Sequence, residues 1–108
     1  MHAKRKGYRA ERKIRILFEK FGWAVVRAGA SLGEADLICL KSKNCVLLQI
    51  KATKKKTFYY YGYKDPVFEG FPFYLVVDFG YNKIRILSPK SKISKSDGQP
   101  LDEFLKSY

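Results

Sequence analysis

The chain has 108 residues, 46% of them hydrophobic, and a formal net charge of +12 from 22 Lys and Arg against 10 Asp and Glu. This length fits one domain, residues 1–108, and no apolar run approaches the roughly 18 residues of a membrane span; the basic N-terminus also lacks the apolar stretch of a signal peptide, so a cytoplasmic protein is expected. Two cysteines exclude a disulfide framework and one histidine leaves structural zinc without ligands, while the positive excess points to a polyphosphate partner, and so to nucleic acid.

From about Tyr8 to Phe21, Ala10, Ile14, Leu17, Phe18 and Phe21 recur at helical spacing, with Arg9, Arg12, Lys13 and Lys20 largely off that stripe, which predicts an amphipathic helix. Glu11 borders the stripe. Its position leaves two readings open: an inward-facing site acid, or a helix-stabilising partner for Arg15 one turn on. Gly22 is a natural helix terminator, the strand Trp23–Ala28 follows at once, and Gly29–Glu34 is a loop.

Two runs rich in Ile, Leu and Val, Ala35–Lys41 and Cys45–Thr53, flank the polar turn Ser42-Lys43-Asn44 and predict a β-hairpin. If Lys41 pairs with Asn44, Asp36 stands opposite Gln49, and Lys51 follows two residues on along the same face. Such a trio on an exposed sheet face is ordinarily solvated decoration. Here its alternating neighbours Ile38, Leu40, Cys45 and Leu47 are apolar, as are Leu37, Cys39, Val46, Leu48 and Ile50 on the other face. Both faces are then expected to be covered, and a buried carboxylate needs compensation that a cation supplies. The same register puts Cys39 and Cys45 on opposite faces as reduced thiols.

The rest of the chain reads as scaffold. Thr57–Pro72 is aromatic and carries glycine and proline without a helical period; Phe73–Phe79 and Lys83–Leu87 predict a second hairpin turned by Gly80-Tyr81-Asn82; Ser88–Pro100 reads as an exposed, mobile loop before a short helix, Leu101–Ser107. Asp78 and Asp102 are assigned to the surface. The expected architecture is α/β, with a mixed, mostly antiparallel five-stranded sheet and the N-terminal helix packed on it.

Lys6-Gly7-Tyr8-Arg9-Ala10-Glu11-Arg12, Ala24-Val25-Val26-Arg27-Ala28-Gly29-Ala30-Ser31, Asp36-Leu37-Ile38 and Gln49-Ile50-Lys51, taken in that order, resemble the archaeal Holliday junction resolvases of the PD-(D/E)xK nuclease superfamily. The resemblance covers about the first half of the chain. It implies a restriction-endonuclease-like fold, a DNA endonuclease that uses Mg²⁺ or in its place Mn²⁺, a branched or four-way DNA junction as substrate, a homodimer, and a site composed of Glu11, Asp36, Gln49 and Lys51 with Ser31 from the loop. Gln49 stands where these resolvases usually have glutamate, and Thr57–Pro72 lacks the long helix they carry after the third strand. Three functions stay open: a junction resolvase, a homing or restriction-like endonuclease reading base edges, and an inactive relative that binds without cutting. The basic stretches expected on DNA are Lys4, Arg5, Lys6, Arg9 and Arg12 at one end and Lys54, Lys55 and Lys56 beside Lys51. Tyr59 and Tyr60 offer stacking on unpaired bases, or else form an aromatic interface or local core.

Overall fold

In a computed structural model that describes residues 2–29 and 33–108, with side chains from Tyr8 onward, helix α1 (His2–Lys20) crosses one face of a mixed sheet. The helix starts before Tyr8 because Lys4, Arg5 and Lys6 are good helix formers that carry no apolar period to reveal them. It ends as the sequence predicts. Gly22 takes φ +89°, its N–H bonds the Glu19 carbonyl at 3.1 Å and the Trp23 N–H bonds the Phe18 carbonyl at 3.1 Å, a Schellman closure sealed by the Phe18 and Trp23 rings 5.5 Å apart. Lys41 completes the stop by donating to the Phe21 carbonyl at 2.7 Å.

Strands β1 (Ala24–Arg27), β2 (Leu37–Lys41), β3 (Asn44–Ala52), β4 (Thr57–Tyr59), β5 (Val67–Phe68), β6 (Phe71–Asp78), β7 (Ile84–Leu87), β8 (Lys92–Ser94) and β9 (Gln99–Pro100) precede helix α2 (Leu101–Lys106). The sheet order is β1-β2-β3-β6-β7-β9, with β5 on β6, and β4 and β8 form a separate two-stranded sheet. The five expected strands correspond to β1, β2, β3, β6 and β7; β5 and β9, two residues each, bring the main sheet to seven. Its β3–β6 pair is parallel and its other pairs are antiparallel. Parallel neighbours need a long crossover, usually a helix. Here the connection from Ala52 to Phe71 holds no helix, in keeping with its missing helical period.

Ala10, Ile14 and Phe18 of α1 bury against Leu37, Cys39, Val46, Leu48, Ile50 and Val76, with Phe104 and Leu105 of α2 closing the same core. Burial of each large aliphatic or aromatic side chain there contributes about 2 kcal/mol.

Two expectations need correction. Ser88–Pro100 is not an exposed loop: it contains β8, paired with β4, and β9, paired with β7, and Ile93 is fully buried beside Tyr60, Leu75 and Val77. One apolar residue among lysines and serines leaves no period to read. Arg85 fixes the segment by donating to the carbonyls of Asp97 (2.8 Å) and Gly98 (2.9 Å), and Asp97 accepts the Ser94 N–H at 2.7 Å. Asp78 is not on the open surface. Its side chain is only 12% exposed, accepts the Gly80 N–H at 2.8 Å and meets Lys13 at 3.5 Å. Asp102 is exposed as expected.

Candidate active site

The β2–β3 register is Lys41↔Asn44 through Leu37↔Leu48, closed by a two-residue turn in which Ser42 and Lys43 take φ of 48° and 71°. One step past that ladder, the Asp36 N–H bonds the Leu48 carbonyl at 2.7 Å. The Asp36 carboxylate then turns onto β3, where Oδ2 accepts the Ile50 N–H at 2.7 Å and Gln49 Nε2–H at 2.8 Å. Gln49 is 5% exposed, and its carbonyl Oε1 is buried without a hydrogen-bond partner. Burial holds the Asp36 pKa above the ordinary aspartate value, and Glu11 adds to the rise; the Ile50 N–H, the Lys51 ammonium and the Gln49 amide act the other way.

The two faces of this hairpin differ more than expected. Leu37, Cys39, Val46, Leu48 and Ile50 are buried under α1. On the other face Leu47 is buried and Ile38 and Cys45 are half-buried, yet Leu40, at the far end, is 43% exposed. Among the described residues the cover lies toward the end that carries Gln49, where the Ala52–Phe71 connection folds back and packs Tyr63 and Phe68 on Phe73 and Leu47. Cys39 and Cys45 are free thiols, on opposite faces, and burial pushes the Cys39 pKa up to about 12.

Glu11 does not pair with Arg15. Its Oε1 accepts Arg27 Nε–H at 2.7 Å, across from α1 to β1, and Tyr8 lies under the guanidinium at 5.9 Å. With Arg27 more than half exposed this ion pair stabilises the fold little; its consequence is to hold a carboxylate within the field of Asp36. Lys51, half-buried, stands in that field too. The fold therefore brings Glu11, Asp36, Gln49 and Lys51 to one end of the sheet. Ser31 lies outside the described residues. Arg27 has no role among the expected site residues; its signal in the sequence is a lone cation between the apolar Val26 and Ala28.

Arg9 and Arg12 are exposed on α1, where with Lys13 and Lys20 they rim a groove of about 580 Å³ floored by Ile16, Leu17, Ile84 and Leu101. Lys54, Lys55 and Lys56 are exposed beyond Lys51, and Tyr59 is 54% exposed. The side chains of Lys4, Arg5 and Lys6 lie outside those described. Tyr60 is a correction: at 2% exposed it has no free ring face on which a base can stack.

A parallel β3–β6 pair flanked by antiparallel strands, with α1 across one face and an Asp, Gln-x-Lys set at the sheet's end, defines a restriction-endonuclease-like nuclease fold. Residues 2–64, more than half of the chain, match the model of the archaeal Holliday junction resolvase (Hjc) family, and the chain belongs to that family. The 1.6 Å structure of Archaeoglobus fulgidus Hjc, a Holliday junction resolvase from an archaeal hyperthermophile, aligns with a TM-score of 0.71 over 95% of this chain and 98% of its own, at 17% identity. The nucleases of this family generally use divalent metal ions. Among the described residues no three His, Cys, Asp or Glu side chains gather into a cation site. The donors present are nevertheless those a hard cation takes: the Asp36 carboxylate, whose protein hydrogen bonds both fall on Oδ2, the unpartnered Gln49 carbonyl, and Glu11. No helix among the described residues is long and apolar enough to cross a membrane.

Proposed function

We propose that these 108 residues work in the cytoplasm as one Mg²⁺-dependent nuclease domain, paired as a homodimer, that cuts phosphodiester bonds of four-way DNA junctions. The observation that carries this reading is the contact between Asp36 and Gln49, which leaves one buried amide oxygen without a partner beside a half-buried carboxylate. Asp36 and Gln49 would hold the cation and Glu11 would hold it or its water. Bound there, Mg²⁺ would polarise the phosphoryl oxygen and make water more acidic. Lys51 orients the attacking hydroxide and offsets charge on the phosphorane. A four-way junction presents two strands related by symmetry, so two protomers would make paired cuts. The test is cleavage of an end-labelled four-way junction beside a linear duplex of the same arms. Paired nicks in the junction alone are expected with Mg²⁺; equal cutting of the duplex at one sequence would instead indicate base readout, and binding without nicks an inactive relative.

An amide oxygen attracts a divalent cation less than a carboxylate does, so Gln49→Glu should lower the Mg²⁺ concentration that half-saturates the site. Calorimetric titration of Mg²⁺ into both proteins on a non-cleavable junction reads this directly. Equal or weaker binding by the variant removes Gln49 from the ligand set, whatever happens to the rate.

A further inference from the structure

On the face of the sheet away from α1, two buried polar groups lack partners. One is the Gln49 carbonyl oxygen and the other is the hydroxyl of Tyr60. Buried polar atoms without partners are uncommon in native folds, and each calls for an explanation. They share one layer. Gln49 is the register partner of Leu75 on the parallel β3–β6 pair, and Tyr60 packs in the same cluster as Leu75 and Val77, the register partners of Gln49 and Lys51. The Tyr60 backbone is held by its N–H on the Ser91 carbonyl at 2.8 Å, and its ring is buried with Ile93 and Phe79. Gly62 leaves room for the hydroxyl: a Cβ there would lie 2.5 Å from it. The phenol also feels the site's charge. Burial first, then the Glu34 and Asp36 carboxylates, push its pKa up to about 12, and the Tyr63 N–H acts the other way.

The Gln49 amide has a problem that a hydroxyl solves. As it stands, Nε2 faces Asp36 and the carbonyl faces away. To ligate a cation together with Asp36, the amide must turn its oxygen toward the carboxylate, and its NH₂ then takes the place the carbonyl held. A hydroxyl can accept from that NH₂.

We propose that Tyr60 is a positioning residue of the metal site, its hydroxyl accepting, directly or through one water, from the Gln49 NH₂ once the amide has turned its oxygen toward Asp36. This rests on Gln49 being a ligand, as argued above. Tyr60 itself touches neither cation nor substrate. Its removal should resemble loss of a partner behind a metal ligand, on the order of a tenfold loss in metal affinity.

The test is Tyr60→Phe, which keeps the ring and deletes the oxygen. Without metal, its melting temperature should equal or exceed that of the unaltered protein, because in that state the buried hydroxyl has no partner and stabilises nothing. Mg²⁺ titrated calorimetrically into the protein on a non-cleavable four-way junction should bind about tenfold more weakly. Cleavage at saturating Mg²⁺ should change far less than cleavage at limiting Mg²⁺. In a Gln49→Ala background the same substitution should have no further effect, since the amide through which it acts is gone. Unchanged Mg²⁺ binding, a fall in the metal-free melting temperature, or an equal effect with and without Gln49 overturns the proposal. If the unaltered protein itself takes up no Mg²⁺, the metal-site reading fails first.

Discussion

Asp36→Ala should abolish cleavage of a four-way junction, by at least about a thousandfold or some 4 kcal/mol of transition-state stabilisation, while salt-sensitive binding stays within several-fold. Binding should survive because it would be carried by exposed cations such as Arg9, Arg12 and Lys54–Lys56, outside the ladder that holds the carboxylate. Alanine alone is an imperfect probe, since it strips both the Ile50 N–H and the Gln49 amide of their acceptor. Leaving those donors unpaired costs about 1–3 kcal/mol. Asp36→Asn separates the effects, because its carbonyl can still accept the Ile50 N–H. The fold raises the Asp36 pKa, so ionising this carboxyl is less favourable in the folded protein than in the unfolded chain, and at neutral pH the group costs stability. A neutral amide relieves that cost, and the metal-free Asn variant should melt no lower than the unaltered protein while cutting no better than alanine. Undiminished cutting by either variant, measured by single-turnover cleavage of a labelled junction, would place the chemistry elsewhere.

Lys51→Met should slow single-turnover cleavage by about 10²–10³-fold at saturating Mg²⁺ and change metal affinity little. Methionine keeps most of the apolar stem of this half-buried side chain, so packing is preserved and the charge is lost. The separation follows from where the proposed role would use the charge: on negative charge that develops as the phosphate is attacked, not on the cation. Lys51 also lowers the Asp36 pKa, so a secondary effect on proton competition is expected. Loss of Mg²⁺ binding in step with rate would make Lys51 a structural partner of Asp36.

The parts of this site legible in the sequence were those that depend on period and register. Lys41↔Asn44 pairing needs only a two-residue turn between apolar runs, and it places Asp36 on Gln49. Helix α1 and its stop at Gly22 were equally local. What stayed hidden depends on what lies across the sheet. Glu11 borders the α1 stripe, but that its partner is Arg27 rather than Arg15 follows from β1 lying beside the helix. The aromatic run carried a signal that composition obscured: Tyr59 and Tyr61 face out, at 54% and 85% exposed, while Tyr60 between them is buried, the two-residue alternation of an extended chain. Ile93 shows the opposite case, since its burial comes from pairing with Phe58, far away in sequence.

The most direct measurement is anomalous diffraction from crystals of the protein soaked in Mn²⁺. The account predicts a peak at the end of the sheet, about 2 Å from an Asp36 oxygen and from Gln49 Oε1, with the amide turned so that its oxygen rather than Nε2 faces Asp36. A peak held by Asp36 without Gln49, or one bound elsewhere while this end of the sheet is empty, would contradict it.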